Sequence, residues 1–167
     1  MATITLSGNA VVTIGSLPDI GSYIPNFKLV AIDLTTKTLE DFKGYNLILN
    51  IFPSVNTRVC SNSVRQFNAE ANELENTKIL CISRDLPFSQ DQFCAAEGLK
   101  NVIMLSDFKT GDFGKDYGIM MTNGKFDGLL SRSVIVVDTN KKALYTEQVP
   151  EIGQEPNYKA ALGALNL

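Results

Sequence analysis

The stretch NIFPSVNTRVCSNSVRQF (residues 50–67) sets Pro53, Thr57 and Cys60 at spacings of four and three residues. A cysteine acts as its thiolate, and this chain cannot form one by the commonest route, because it contains no histidine. That excludes Cys–His and Ser–His–Asp nucleophiles, histidine-ligated zinc and a proximal-histidine haem. Activation has to come from hydrogen bonds, positive charge or a helix terminus. The local pattern supplies the last of these. The apolar run LILNIF (47–52) reads as a buried strand that stops at Pro53, a residue that stiffens the following turn. Thr57 is a good N-cap, so Cys60 becomes the third residue of the next helix, where free backbone N–H groups and the helix dipole favour an anion. Cys60, Val64, Phe67, Ala71 and Leu74 fall on one face of that helix. From periodicity alone two readings stand level: a packed core thiol and a reactive thiolate.

A lowered pKa alone does not make a fast nucleophile. Moving a free thiol from about 8.5 to about 6 raises its ionised fraction about thirty-fold at neutral pH. With a Brønsted slope of about 0.4–0.5, intrinsic nucleophilicity falls about ten- to eighteen-fold. A helix dipole, at about 0.3–1 kcal/mol, is worth less than one pKa unit. Donors that hold the second reactant and the charge developing in the transition state must supply the rest.

The elements that must position these residues alternate. TITLS and AVVTI, joined through Ser7-Gly8-Asn9, read as a hairpin over residues 1–14. Residues 15–26 read as a surface loop, FKLVAID (27–33) as a strand, and Thr38 with LEDFKG as a short capped helix. KILCIS (78–83) and VIML (102–105) read as buried strands, and SQDQFCAAEG (89–98) as a short helix stopped by Gly98. GDFGKDYG reads as a weak helical turn, and a late hairpin pairs RSVIVVD (132–138) with ALYTEQV (143–149). Residues 157–165 read as a closing helix. The expectation is an α/β chain, 1–167, forming one domain with a central mixed β-sheet flanked by helices.

Composition narrows the function. The chain has 167 residues, 44% of them apolar, which suits one domain with a sizeable core. A net charge of −3 gives no reason to expect nucleic acid or an anionic membrane as partner. No apolar run approaches the length of a membrane span, and the N-terminal stretch lacks the charged start of a secretory signal, so the expected location is cytoplasmic. Three cysteines without paired spacing suit neither a disulfide framework nor a zinc site.

The motif Pro53-x-x-x-Thr57-x-x-Cys60 resembles the active-site motif of the peroxiredoxins. NIFPSVNTRVC, CISRDLPFSQDQFC and LLSRSVIVVD together resemble the bacterial thiol peroxidases, an atypical two-cysteine branch, and the likeness runs from about Phe27 to the C-terminal helix. The resemblance implies a thioredoxin-like fold, with TRVC standing where a thioredoxin carries CxxC. It implies a peroxidatic Cys60 and a resolving Cys94. Thr57 would hydrogen-bond sulfur and peroxide, Pro53 would shield the sulfur from water, and Arg132 would supply positive charge. It further implies hydroperoxide substrates, alkyl or hydrogen peroxide, thioredoxin as reductant, a homodimer and no cofactor. Cys81, between Leu80 and Ile82, reads as a core thiol.

Two other functions compete. One is a thiol–disulfide oxidoreductase on the same fold, against which the missing CxxC counts. The other is a non-catalytic thioredoxin-fold binding module. The segment 118–130, with exposed-looking Met120, Met121 and Phe126, reads as a surface loop, a border of the peroxide pocket or a subunit interface.

Overall fold

The computed structural model describes residues 1–166. Strands β1 (Thr3–Leu6) and β2 (Asn9–Val12) form a separate hairpin. Its turn residues Ser7 and Gly8 both have positive φ, 51° and 78°, the geometry a two-residue hairpin needs to match strand twist. The remaining strands are β3 (Lys28–Ala31), β4 (Thr36–Thr38), β5 (Asn46–Ile51), β6 (Thr77–Ser83), β7 (Ile103–Ser106), β8 (Ser133–Val137) and β9 (Ala143–Gln148). They make one mixed sheet in the order β4-β3-β7-β6-β5-β8-β9. The centre, β5-β6-β7, is parallel, and β8 closes antiparallel on β5.

Period-two alternation along β5 divides the core. Leu47, Leu49 and Ile51 face one apolar cluster, and Ile48 and Phe52 face the other; all are fully buried. Burying each such side chain is worth about 1.5–3 kcal/mol against exposure, so the register of this central strand is strongly fixed. One cluster packs under α1 (Arg58–Glu70), the inner side of α2 (Pro87–Glu97) and α4 (Tyr158–Gly163). The opposite cluster is covered by α3 (Asp112–Asp116), by a short 3-10 helix at Leu39–Phe42, and by the loop carrying Ile24 and Phe27. The α/β architecture expected from the sequence is therefore present, with helices on both faces.

Three details differ from the expectation. β4 takes in Thr36 and Lys37, which had no assigned element, and Thr38, read as a helix cap. The second long helix starts at Pro87, two residues before the predicted start, because proline is well suited to the first helical position. Met121 is fully buried, and Met120 and Phe126 are half-buried. Met121 packs with Ile4, Val11 and Ile152 beneath the N-terminal hairpin, which also covers Phe126. Among the described residues no helix is long and apolar enough to cross a membrane.

Candidate active site

The strand β5 delivers the chain to Phe52 and a buried Pro53, and a turn through Val55 leads to α1. Asp85, just beyond the end of β6, holds that turn. Its carboxylate accepts hydrogen bonds from the Ser54 hydroxyl at 2.7 Å, the Val55 N–H at 2.8 Å and the Ser83 hydroxyl at 2.6 Å. Gln90 of α2 donates to the same Ser83 hydroxyl at 3.1 Å. The turn before Cys60 and the helix carrying Cys94 are thus tied to one point at the carboxyl edge of the sheet, where open α/β folds place ligands.

Thr57 is the N-cap of α1 in its backbone conformation, but its side chain does not cap the helix. The hydroxyl points instead at the Cys60 sulfur, 2.6 Å away, with the Ser54 carbonyl as a second acceptor at 3.2 Å. A hydroxyl has one proton, so it serves one of these acceptors at a time. Cys60, third residue of α1 as predicted, is 0% exposed. The first turn of the helix holds no carboxylate, and Arg58 stands in it.

Arg132, the residue before β8, is 2% exposed. Its Nη2 lies 3.3 Å from Cys60 Sγ, and its Nε donates to the Ile152 carbonyl at 3.0 Å. Its Nη1 is buried and has no hydrogen-bond partner among the described residues. No carboxylate pairs with this guanidinium among the described residues. A buried cation without a carboxylate is costly unless another anion faces it, and the group facing this one is sulfur.

Thr57 and Arg132 line a cavity of about 250 Å³ together with Leu6, Arg58, Val59, Phe126, Ile152 and Gly153. Cys60 lies behind the two side chains that touch it. A largely apolar groove of about 480 Å³ shares Leu6 and Phe126 with this cavity and runs under the hairpin. Pro53 is buried in the turn and is not part of the cavity wall.

The other two cysteines differ from Cys60 and from each other. All three are free thiols. Cys81 is fully buried in β6, where burial pushes its thiol up to about 12, against a weak hydrogen bond from the Asn50 amide at 3.6 Å. Cys94 is half-buried in the last turn of α2, and burial, with Asp91 nearby, pushes its thiol up to about 11. The structure therefore brings Thr57 and Arg132 to the Cys60 sulfur, holds Pro53 in the preceding turn, and leaves Cys94 unbonded on a separate helix. The sequence reading missed Asp85, the Ile152 carbonyl and Leu6.

The Redoxin family model matches residues 19–162. The chain belongs to the Redoxin family. A thiol peroxidase of Corynebacterium glutamicum is 51% identical to it over 166 residues, covering 99% of this chain and 100% of the relative. A thiol peroxidase of Mycobacterium bovis is 49% identical over 165 residues, 99% of each. Among solved structures, a peroxiredoxin-like protein from Aquifex aeolicus superposes with a TM-score of 0.92 at 32% identity, covering 99% of this chain and 97% of that one. This Redoxin chain accordingly has the thioredoxin-like fold that the resemblance implied.

Proposed function

We infer that this Redoxin protein is a thiol-dependent peroxidase in which Cys60 reduces hydroperoxides and Cys94 resolves the product. The observation that carries the reading is the buried Arg132 guanidinium, which faces the Cys60 sulfur and has no carboxylate partner. A thiolate at Cys60 is the counter-ion this guanidinium lacks. The sulfur attacks the terminal oxygen of the peroxide, the O–O bond breaks, and Cys60 becomes a sulfenic acid as the alkoxide leaves and takes a proton.

Three groups supply what ionisation of the thiol alone cannot. The Thr57 hydroxyl donates to sulfur while its lone pairs accept from the peroxide O–H. The unpartnered Nη1 of Arg132 offers the donor that a peroxide oxygen requires, so charge developing on the leaving oxygen meets a fixed cation in a site with little water. The Ile152 carbonyl fixes the guanidinium through Nε. Pro53 keeps the turn rigid and closed beneath the sulfur.

Cys94 then attacks the sulfenic sulfur, forming a Cys60–Cys94 disulfide and releasing water. A disulfide needs its Cα atoms within about 7 Å, and the two cysteines stand on separate helices, so the first turn of α1, the end of α2, or both unwind during the cycle. A dithiol reductant of the thioredoxin kind returns both thiols. The apolar walls Leu6, Val59, Phe126 and Ile152 and the adjoining groove favour organic hydroperoxides over hydrogen peroxide. The whole chain works as one domain, in the cytoplasm and as a homodimer.

The deciding experiment sets peroxide consumption with thioredoxin as reductant beside reduction of insulin disulfides. Fast peroxide turnover with negligible insulin reduction is expected. The reverse pattern would identify a thiol–disulfide oxidoreductase instead.

A further inference from the structure

The segment that orients Arg132 is itself held from an unexpected side. Val149 N–H donates to the Arg132 carbonyl at 2.9 Å, and the Ile152 carbonyl accepts from Arg132 Nε at 3.0 Å, so residues 149–152 bracket the arginine. Strand β1 runs along the other side of this segment. Thr5 N–H donates to the Pro150 carbonyl at 2.7 Å, and Ile152 N–H donates to the Thr5 carbonyl at 2.8 Å. Between those two bonds stands Glu151.

The Glu151 carboxylate accepts four hydrogen bonds. Oε2 accepts from the Thr5 hydroxyl at 2.7 Å and the Gly8 N–H at 3.1 Å. Oε1 accepts from the Ser7 N–H at 3.0 Å and the Gly153 N–H at 3.1 Å. The positive φ angles of Ser7 and Gly8 turn their two N–H groups to the same side, a concavity suited to an anion. No lysine or arginine pairs with this carboxylate among the described residues, so its charge is met by neutral donors alone. Those donors, the Thr5 hydroxyl first and then the N–H groups of Gly8, Gly153 and Ser7, hold its carboxyl down at about 2.

We propose that Glu151 is a positioning residue for the peroxidase reaction, latching the N-terminal hairpin to the segment whose Ile152 carbonyl aims Arg132 at Cys60. The latch also places a wall of the cavity, since Leu6 precedes the hairpin turn and Ile152 and Gly153 flank it on the other side. The hairpin keeps its own apolar anchor in Ile4, Val11, Met121 and Ile152. Loss of the latch therefore lets the 150–153 segment shift by small amounts against β1, within the two Thr5 backbone bonds that remain, while Ile4, Val11 and Met121 keep the hairpin docked.

The inference rests on the peroxidase reading, and its test separates the two. Glu151→Gln preserves shape but turns an amide NH₂ toward backbone donors. Stopped-flow oxidation of Cys60 by cumene hydroperoxide should slow about ten-fold in this variant. Reduction of its disulfide by thioredoxin should stay within about two-fold of the native rate. Added to Arg132→Lys, whose side chain has no Nε, the same change should cost no more than about a further two-fold. Thr5→Val removes the shortest of the four bonds while keeping side-chain volume, and should slow Cys60 oxidation by about three-fold even if Glu151→Gln does not fold. In the native protein, a carbon-detected titration should find the Glu151 carboxyl still ionised at pH 3.

Native-rate oxidation in Glu151→Gln, or losses that multiply fully in the double variant, would overturn the latch while leaving the peroxidase intact. Titration of Glu151 near its ordinary 4.5 would do the same. Native protein inert to cumene hydroperoxide would bring down the peroxidase reading, and the latch with it.

Discussion

Arg132 Nη2 lies 3.3 Å from Cys60 Sγ across 72 residues of sequence, and the Ile152 carbonyl grips the same guanidinium through Nε. One planar group thus faces the sulfur, is fixed from behind, and keeps Nη1 free for a third partner. A lysine keeps the charge but cannot make three directed contacts at once. Arg132→Lys should therefore lower kcat/KM for peroxide by about 10²-fold, with the thermal midpoint changed by only a few degrees. Stopped-flow kinetics beside a melting curve checks it. A loss below about three-fold would mean that charge alone suffices.

Thr57 contributes a donor that volume cannot replace. Thr57→Ser keeps the hydroxyl that sits 2.6 Å from the sulfur, and Thr57→Val keeps the shape without it. The serine variant should retain peroxide reduction within about five-fold, while the valine variant loses about 10²–10³-fold in kcat/KM. The structure adds a reason to expect little change in helix stability from either: the Thr57 side chain makes no capping bond.

The predicted core role of Cys81 has a consequence in alkali. Its thiol is raised by burial from 9.0 to about 12. The unfolded chain therefore gives up that proton above pH 9 while the folded one keeps it. The stability this site contributes is fully present below pH 9 and is lost as pH rises toward 12. Cys81→Ala should leave the peroxide rate near native. It should also flatten the fall in urea-unfolding free energy between pH 8 and pH 11. A large rate loss in a folded Cys81→Ala protein would give that thiol a chemical role.

Some of this was legible in the sequence because it is local. Thr57 and Cys60 sit three residues apart at a strand-to-helix turn, and the helical spacing of Cys60, Val64 and Phe67 survives as a buried face. Long β-strands with continuous apolar runs, β5, β6 and β8, were legible for the same reason. β4 was not, being three polar residues at a sheet edge. Arg132 entered only through a family likeness, since nothing near it in sequence announces a partner 72 residues away. Asp85 belongs to no motif in the sequence; its role comes from the folded turn of Ser54 and Val55 beside it. The Ile152 carbonyl has no sequence signature at all, because every residue carries one. Met121 and Phe126 looked exposed because the cover over them comes from the distant N-terminal hairpin, while Met120 packs beside Gly111 and Gly114.

The most direct measurement is titration of the fully reduced protein with one equivalent of cumene hydroperoxide, followed by peptide mass mapping of its three cysteines. A single Cys60–Cys94 disulfide is expected, with Cys81 still a free thiol, and in Cys94→Ser a Cys60 sulfenic acid that forms once and does not turn over with thioredoxin. Oxidation that spares Cys60, or a Cys60→Ser protein that consumes peroxide at the native rate, would contradict it.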